Sequence, residues 1–367
     1  MKVNSSIVLV TASLGAGGAE RVISILANGW VSAGQKVDIV TLEDGFPFYP
    51  INSSITIHAL GLSGKSVNIF HAVVNNFIRL KNIRFILRRL KPNIVVSFGT
   101  ETNVLVLLAT IVLGIHVVIS ERCDPHYYPH GTIWKFLRRI TYWLSEKLVV
   151  QTKAAGHYFD FLSSSRTYII PNPVQVPTTN DELIKITPPF VLAAGRLTKQ
   201  KGFDVLLNAF AIKKKELSDW KLVILGEGDQ RAALELQIKN LGIREHVLMP
   251  GVVTNLGNYM KAAELFVLSS RYEGFPNVLT EAMASGIAVI AADCPSGPSD
   301  IVDDGVNGIL VAPDNIGALS EVLGRLMGNA DLRAKLGNHS ASILHIYSIE
   351  RILSDWEKVF VRNVSIL

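Results

Sequence analysis

Short apolar runs alternate with longer amphipathic stretches from one end of this chain to the other. Runs near Ile7, Val37, Ile55, Ile94, Val117, Leu148 and Tyr168, then near Val191, Leu222, Val247, Leu265, Ile287 and Ile309, read as buried strands, and most of the stretches between them carry a helical period. That alternation predicts an α/β chain with parallel sheets joined by right-handed crossovers. The pattern breaks at Pro171-Asn-Pro-Val-Gln-Val-Pro177, where three prolines predict an interdomain linker, and a second doubly wound unit is expected to begin near Pro188. At 367 residues the chain exceeds the roughly 250 to 300 at which a single core stops growing. The expected division is therefore residues 1–175, residues 176–346 and a closing segment, residues 347–367, whose helix spans Ile349 to Val361.

One run tests whether the chain crosses a membrane. Val104 to Ile119 holds no charged residue, but a span needs about 20 apolar residues, and Gly114 with His116 divides this one. It reads as a buried helix followed by a buried strand. The opening residues carry one positive charge and lead straight into a glycine loop, which predicts a first strand rather than a signal peptide. Two cysteines, Cys123 and Cys294, stand far apart and without metal-ligand spacing, so neither a disulfide framework nor a zinc site is expected. The expected location is the cytoplasm.

Candidate chemistry gathers in three motifs. In Arg271-Tyr-Glu-Gly-Phe-Pro-Asn-Val-Leu-Thr-Glu281, Pro276 suits the first turn of a helix, placing Glu273 on the loop before it and Glu281 about one turn inside. A helix N-terminus attracts anions, whereas two carboxylates beside it repel a bare phosphate. A nucleotide-diphosphate sugar resolves the conflict, with phosphates for the amides and hydroxyls for the acids. Phe190 to Asp204 reads as a strand, a glycine turn and a helix start, with Arg196 and Lys201 placed to neutralise a diphosphate. Ile7 to Arg21 is a strand, a loop with Gly15, Gly17 and Gly18, and a helix. It fails the G-x-G-x-x-G pattern because Glu20 takes the third glycine position, so a nicotinamide enzyme is not expected.

Gly-Arg-Leu…Lys-Gly and Glu-Gly-Phe-Pro-Asn…Glu-Ala-Met-Ala-Ser-Gly together resemble the retaining glycosyltransferases of family 4. The resemblance implies the GT-B fold: two facing Rossmann-like doubly wound domains, the first for acceptor and the second for donor, with a C-terminal helix crossing back to the first. It implies transfer of a hexose or N-acetylhexosamine from a UDP-sugar, without metal or other cofactor, to a lipid-linked polyprenyl-diphosphate glycan. Arg196 and Lys201 would stabilise the leaving diphosphate, Glu273 would bind the transferred sugar and Glu281 the ribose. Phe275, Pro276 and Asn277 would line the sugar and phosphates, while Gly226 and Val253 either flank the base or form ordinary strand-to-helix turns. Gly17 and Gly18 either close over the diphosphate or supply a tight turn with positive φ. As an exposed site residue, Lys201 is expected to matter little for folding.

At the end of the strand near Val117 the family often carries a sugar-contacting histidine. This chain has Arg122 there, with Glu121 before it and His126 four residues on, so these three are the acceptor-side candidates; an anchoring Arg122–Asp124 pair is the alternative. A sugar-nucleotide epimerase or an idle sugar-binding protein remain rival readings. A glycosidase is set aside, because a helix N-terminus disfavours the protonated acid that its chemistry needs.

Charge then separates the halves. Residues 1–175 carry 17 Lys and Arg against 9 Asp and Glu, a net +8, while the remainder carries 19 against 22, a net −3. No acid falls between Asp44 and Glu101, and Lys65, Arg79, Lys81, Arg84, Arg88, Arg89 and Lys91 all lie in that window. Lys81, Arg84, Arg88 and Lys91 share a helix face opposite Ile83, Ile86, Leu87 and Leu90. This face, together with the stretch Trp134 to Trp143, suits an anionic membrane surface, or else is simply solvated. The absence of a nucleic-acid module argues against nucleic-acid binding.

Overall fold

A computed structural model describes residues 5–62, 68–127, 131–182, 184, 186–187, 189–214 and 219–361. Lys65 and Pro188 lie outside them. The chain falls into two compact units, residues 1–173 with 349–367, and residues 174–348.

Among its described residues the first unit holds seven strands: β1 (Ser6–Thr11), β2 (Lys36–Thr41), β3 (Thr56–Ala59), β4 (Ile94–Phe98), β5 (His116–Ser120), β6 (Lys147–Val150) and β7 (Thr167–Ile169). They form one parallel sheet in the order β3-β2-β1-β4-β5-β6-β7. Its helices are α1 (Gly18–Ser32), α2 (Ile69–Leu90), α3 (Thr100–Thr110), α4 (Thr132–Thr141) and α5 (Lys153–Tyr158). The second unit holds β8 (Phe190–Ala194), β9 (Lys221–Leu225), β10 (Val247–Gly251), β11 (Leu265–Leu268), β12 (Ala288–Ala292) and β13 (Ile309–Val311), parallel in the order β10-β9-β8-β11-β12-β13. Its helices are α6 (Phe203–Lys214), α7 (Arg231–Asn240), α8 (Leu256–Ala262), α9 (Asn277–Ala284), α10 (Pro298–Ile301), α11 (Ile316–Met327), α12 (Ala330–Ser340) and α13 (Ile343–Ile346). The last helix, α14 (Ile349–Phe360), belongs to the first unit.

The central strands of each sheet are buried on both faces, which is why they read as continuous apolar runs, whereas the edge strands β3, β7 and β10 are partly exposed. Ile7 and Leu9 of β1 pack on one side with Trp30 and with Trp356 and Phe360 of α14, while Val8 and Val10 pack on the other with Ile83 and Leu87 of α2. The Trp30 and Trp356 rings meet edge to face at 5.8 Å. Val104 to Ile119 divides between α3 and β5, both buried. Among the described residues, no helix is long and apolar enough to cross a membrane.

In such sheets the chain turns to opposite sides from two adjacent strands, leaving a crevice at their carboxyl ends. In the second unit those strands are β8 and β11. The loops that leave them carry Arg196 with Lys201, and Glu273.

Candidate active site

The β8 and β11 loops are held together by several hydrogen bonds. The Arg271 amide donates to the Gln200 carbonyl at 2.8 Å, Gln200 Nε2 to the Tyr272 carbonyl at 2.9 Å, and Ser269 Oγ to the Lys201 carbonyl at 2.9 Å. The Arg271 guanidinium grips both Asp204 oxygens at 2.9 and 2.8 Å, Asp314 at 2.8 Å and the Lys199 carbonyl at 2.6 Å. The loops approach so closely at Gly202 (φ +61°) that a Cβ there would lie 2.1 Å from the Ser269 carbonyl oxygen. Arg271 was visible in the sequence motif, but its binding of Asp204 and Asp314 was not.

This frame sets Lys201 Nζ 2.6 Å from Glu273 Oε1. Ser270 Oγ donates to the same oxygen at 2.5 Å. Glu273 Oε2 makes no hydrogen bond among the described residues. One oxygen is thus fixed by two donors and the other is left to accept. The Lys201 and Glu273 side chains are only 15 % and 6 % exposed, which corrects the expectation of an exposed lysine of little structural weight. Nearby, burial and the Glu273 charge push the Cys294 thiol up to about 12.

Arg196 is exposed, and its guanidinium has no hydrogen-bond or ion-pair partner among the described residues. It follows Gly195, over which the Lys201 side chain lies. Gly226 (φ +132°) abuts the Gly195 backbone, where a Cβ would meet the carbonyl oxygen at 2.0 Å, so it has a packing reason to be glycine. Its amide donates to the Gly251 carbonyl at 2.8 Å, and Val253 is half-buried just beyond. Pro276 takes the N-cap position of α9 rather than its first turn, so Glu281 lies buried in the second turn. Phe275 is buried edge-on against Tyr347, and the Asn277 amide donates to the Phe275 carbonyl.

The first unit's candidates are placed differently. Gly17 is extended (φ −108°) and Gly18 opens α1; neither has positive φ, which removes the tight-turn reading. Glu20 folds back against Gly17 and accepts from Ser13 Oγ at 3.2 Å. Glu121 is 3 % exposed and accepts from Thr100 Oγ1 at 2.9 Å and from the Tyr142 hydroxyl; burial raises its pKa. Arg122 does not pair with Asp124. Its Nη1 donates to Asn172 Oδ1 at 2.7 Å, and its guanidinium lies 4.9 Å from the Phe98 ring and 5.8 Å from that of Trp356. Nε and Nη2 are buried without partners, and burial pulls the group down to about 9. Asp124 instead accepts from the His126 amide at 2.8 Å, with Nδ1 at 3.1 Å, leaving the imidazole half-exposed against Tyr158.

The basic face of α2 also divides. Lys81 and Arg88 are exposed, but Arg84 Nη1 donates to the Ala109 and Ile111 carbonyls at 2.8 and 2.9 Å and so closes the end of α3. Lys91, at φ +46°, caps the helix from outside it.

Residues 16–176 match the family model described as Glycosyltransferase Family 4, and residues 178–342 match that of Glycosyl transferases group 1. An α-1,4-N-acetyl-D-galactosaminyltransferase of Campylobacter jejuni, named for a diNAcBac-PP-undecaprenol-linked GalNAc acceptor, is 29 % identical over 95 % of this chain and 96 % of its own. Sucrose-phosphate synthase of Thermosynechococcus elongatus superposes with a TM-score of 0.83 at 17 % identity, covering 97 % of this chain and 98 % of that one. A TarM variant of S. aureus, in complex with fondaparinux, α-GlcNAc-glycerol and UDP, superposes at 0.79 with 16 % identity, covering 98 % and 100 %. At these identities the two structures speak for the fold.

Proposed function

Because the chain belongs to the family 4 glycosyltransferases, with their GT-B fold, we propose that it moves a hexose or N-acetylhexosamine from UDP to a lipid-linked glycan of a bacterial surface polysaccharide, with retention of configuration. The observation that carries this reading is the Lys201–Glu273 pair at the crevice of the second sheet, with one Glu273 oxygen fixed and the other free. The acceptor class is supported by the name of the Campylobacter relative, and UDP by the ligand of TarM.

In this mechanism the bond from the anomeric carbon to the diphosphate breaks through an oxocarbenium-like state. The acceptor hydroxyl attacks on the same face and its proton passes to the departing phosphate oxygen. Arg196 and Lys201 stabilise the charge that develops there, an effect worth several kcal/mol in a closed site. Lys201 has three donors and can hold Glu273 with one while meeting phosphate with another. Glu273 Oε2 accepts from a sugar hydroxyl, and Glu281 holds the ribose. Gly17 and Gly18 approach the diphosphate; Gly226 and Val253 flank the base; Phe275, Pro276 and Asn277 line the sugar and phosphates. The imidazole of His126 serves the acceptor side, with Arg122 acting there through its buried charge, while the Glu121 carboxylate holds the strand end through Thr100 and Tyr142. Lys81, Arg88 and Lys91, and the exposed edge of Arg84, face an anionic membrane on its cytoplasmic side. Transfer needs no metal.

UDP release from a panel of UDP-hexoses, with and without a polyprenyl-diphosphate-linked N-acetylhexosamine, tests the reading. Release that requires the acceptor and yields a lengthened lipid supports it. Acceptor-independent conversion of the sugar would instead make the protein an epimerase.

A further inference from the structure

Helix α4 presents two stripes one residue out of step. Ile133, Phe136, Ile140 and, just beyond the helix, Trp143 recur at steps of three and four and are 67, 63, 50 and 53 % exposed. Thr132, Lys135 and Arg139 run beside them at the same steps. Where the polar stripe meets α5 there is a cavity of about 410 Å³ lined by Thr132, Lys135, Phe136, Arg138, Arg139, Tyr158 and Phe161. Three of its seven lining side chains are cations and none is an acid.

Arg138 is the unusual member. It is 2 % exposed, its Nη2 donates to the Tyr158 hydroxyl, and its guanidinium lies 4.7 Å from the Tyr158 ring. Its Nη1 is buried without a partner, an arrangement that costs free energy unless an acceptor arrives. Glu121 acts on Arg138 electrostatically but already accepts from Thr100 and Tyr142. Arg139 stacks 5.1 Å from the Phe161 ring, and Lys135 has no hydrogen-bond or ion-pair partner among the described residues. Nothing in the transfer chemistry uses these groups.

We propose that this cavity is a binding site for the phosphate of a membrane lipid, held by Lys135, Arg138 and Arg139 with the Thr132 hydroxyl, while the acyl chains lie along Ile133, Phe136, Ile140 and Trp143. Clustered cations match a phosphate and leave no acid to repel it. A contiguous exposed apolar stripe ending in tryptophan, offset from a cationic one, is the arrangement of a helix lying in a bilayer interface. The site is independent of the transfer reading, since binding is measured without donor or acceptor.

The full chain would be titrated with monomeric dihexanoyl phosphatidic acid, followed by calorimetry and by tryptophan fluorescence. Saturable binding at one site per chain is expected, with inorganic phosphate and dihexanoyl phosphatidylcholine each weaker by about tenfold or more. The Lys135→Gln/Arg139→Gln variant, which changes only exposed residues, should lose about tenfold in affinity at unchanged Tm; Lys36→Gln/Arg89→Gln, two exposed cations that do not line the cavity, should stay within about twofold. Equal affinity for inorganic phosphate would make this a site for free anions and overturn the lipid assignment. Equal losses in the two variants would spread binding over the whole basic face, and tighter binding of a polyglutamate peptide would give the surface to an acidic protein; either result overturns the proposal, as does the absence of saturable binding.

Discussion

The carboxyl edges of the two sheets both collect charged residues and use them differently. In the second unit, Lys201 and Glu273 pair across two loops, with a guanidinium free in Arg196 and a carboxylate oxygen free in Glu273. In the first, Glu121 is consumed by Thr100 and Tyr142, Asp124 by the His126 turn, and Arg122 is sealed between Phe98 and Trp356. Similar residue types therefore leave groups free to bind at one edge and make mostly a scaffold at the other. What separates them is whether an unspent bond is exposed, as in Arg196, or buried, as in Arg122 Nε and Nη2.

The comparison breaks most sharply at Lys201. Lys201→Ala should lower turnover by about a thousandfold through lost charge stabilisation, and destabilise the fold by about 2 kcal/mol because a buried carboxylate loses its partner. UDP release and thermal denaturation read these separately. Adding Glu273→Gln should restore Tm and leave turnover low; an unrestored Tm would assign Lys201 to packing.

Next in size is the Arg271 clamp. Arg271→Lys removes the two-pronged grip on Asp204 and should lower turnover by about tenfold to a hundredfold, with UDP affinity falling alongside because both loops loosen. Full activity would mean that the backbone bonds alone hold the frame.

The first unit is sharpened by Arg122→Met. Exchanging a buried, half-partnered guanidinium for an apolar chain of similar length should change stability by less than about 1 kcal/mol, because desolvation relief offsets the lost ring and Asn172 contacts. Turnover should fall by about tenfold, through acceptor KM rather than donor KM. An unchanged KM would make Arg122 purely structural.

The smallest effect concerns Cys294. Its thiol is raised from the ordinary value of 9 to about 12, so the folded state holds the proton that the unfolded chain releases. Its contribution to stability is full below pH 9 and is lost as pH rises toward 12. Iodoacetamide at pH 8 should therefore modify the half-buried Cys123 first and leave the buried Cys294 unlabelled. Rapid labelling of Cys294 with loss of activity would mean that the site opens.

Every described strand was legible in the sequence, the central ones because strands buried on both faces must be apolar runs. The Lys201 and Glu273 loops were legible too, since their glycines and charges sit at strand ends. The fates of Glu121, Arg122 and Arg84 were not. They depend on which distant element covers them: Trp356 from the far end of the chain lies over Arg122, and the end of α3 receives Arg84. The stretch Trp134 to Trp143 was legible as a patch of aromatics and cations, but which of its residues stay exposed was not, because apolar residues at helical spacing ordinarily signal a packed face.

The central claim is that Glu273 Oε2 serves the sugar while the nucleotide is held elsewhere. Turnover and UDP affinity measured on one preparation of Glu273→Gln test it most directly, the amide keeping an oxygen for Lys201 and Ser270. Turnover lower by about a hundredfold with UDP affinity within about threefold is the predicted result. Equal losses in both would move Glu273 from the sugar to the nucleotide and contradict the account.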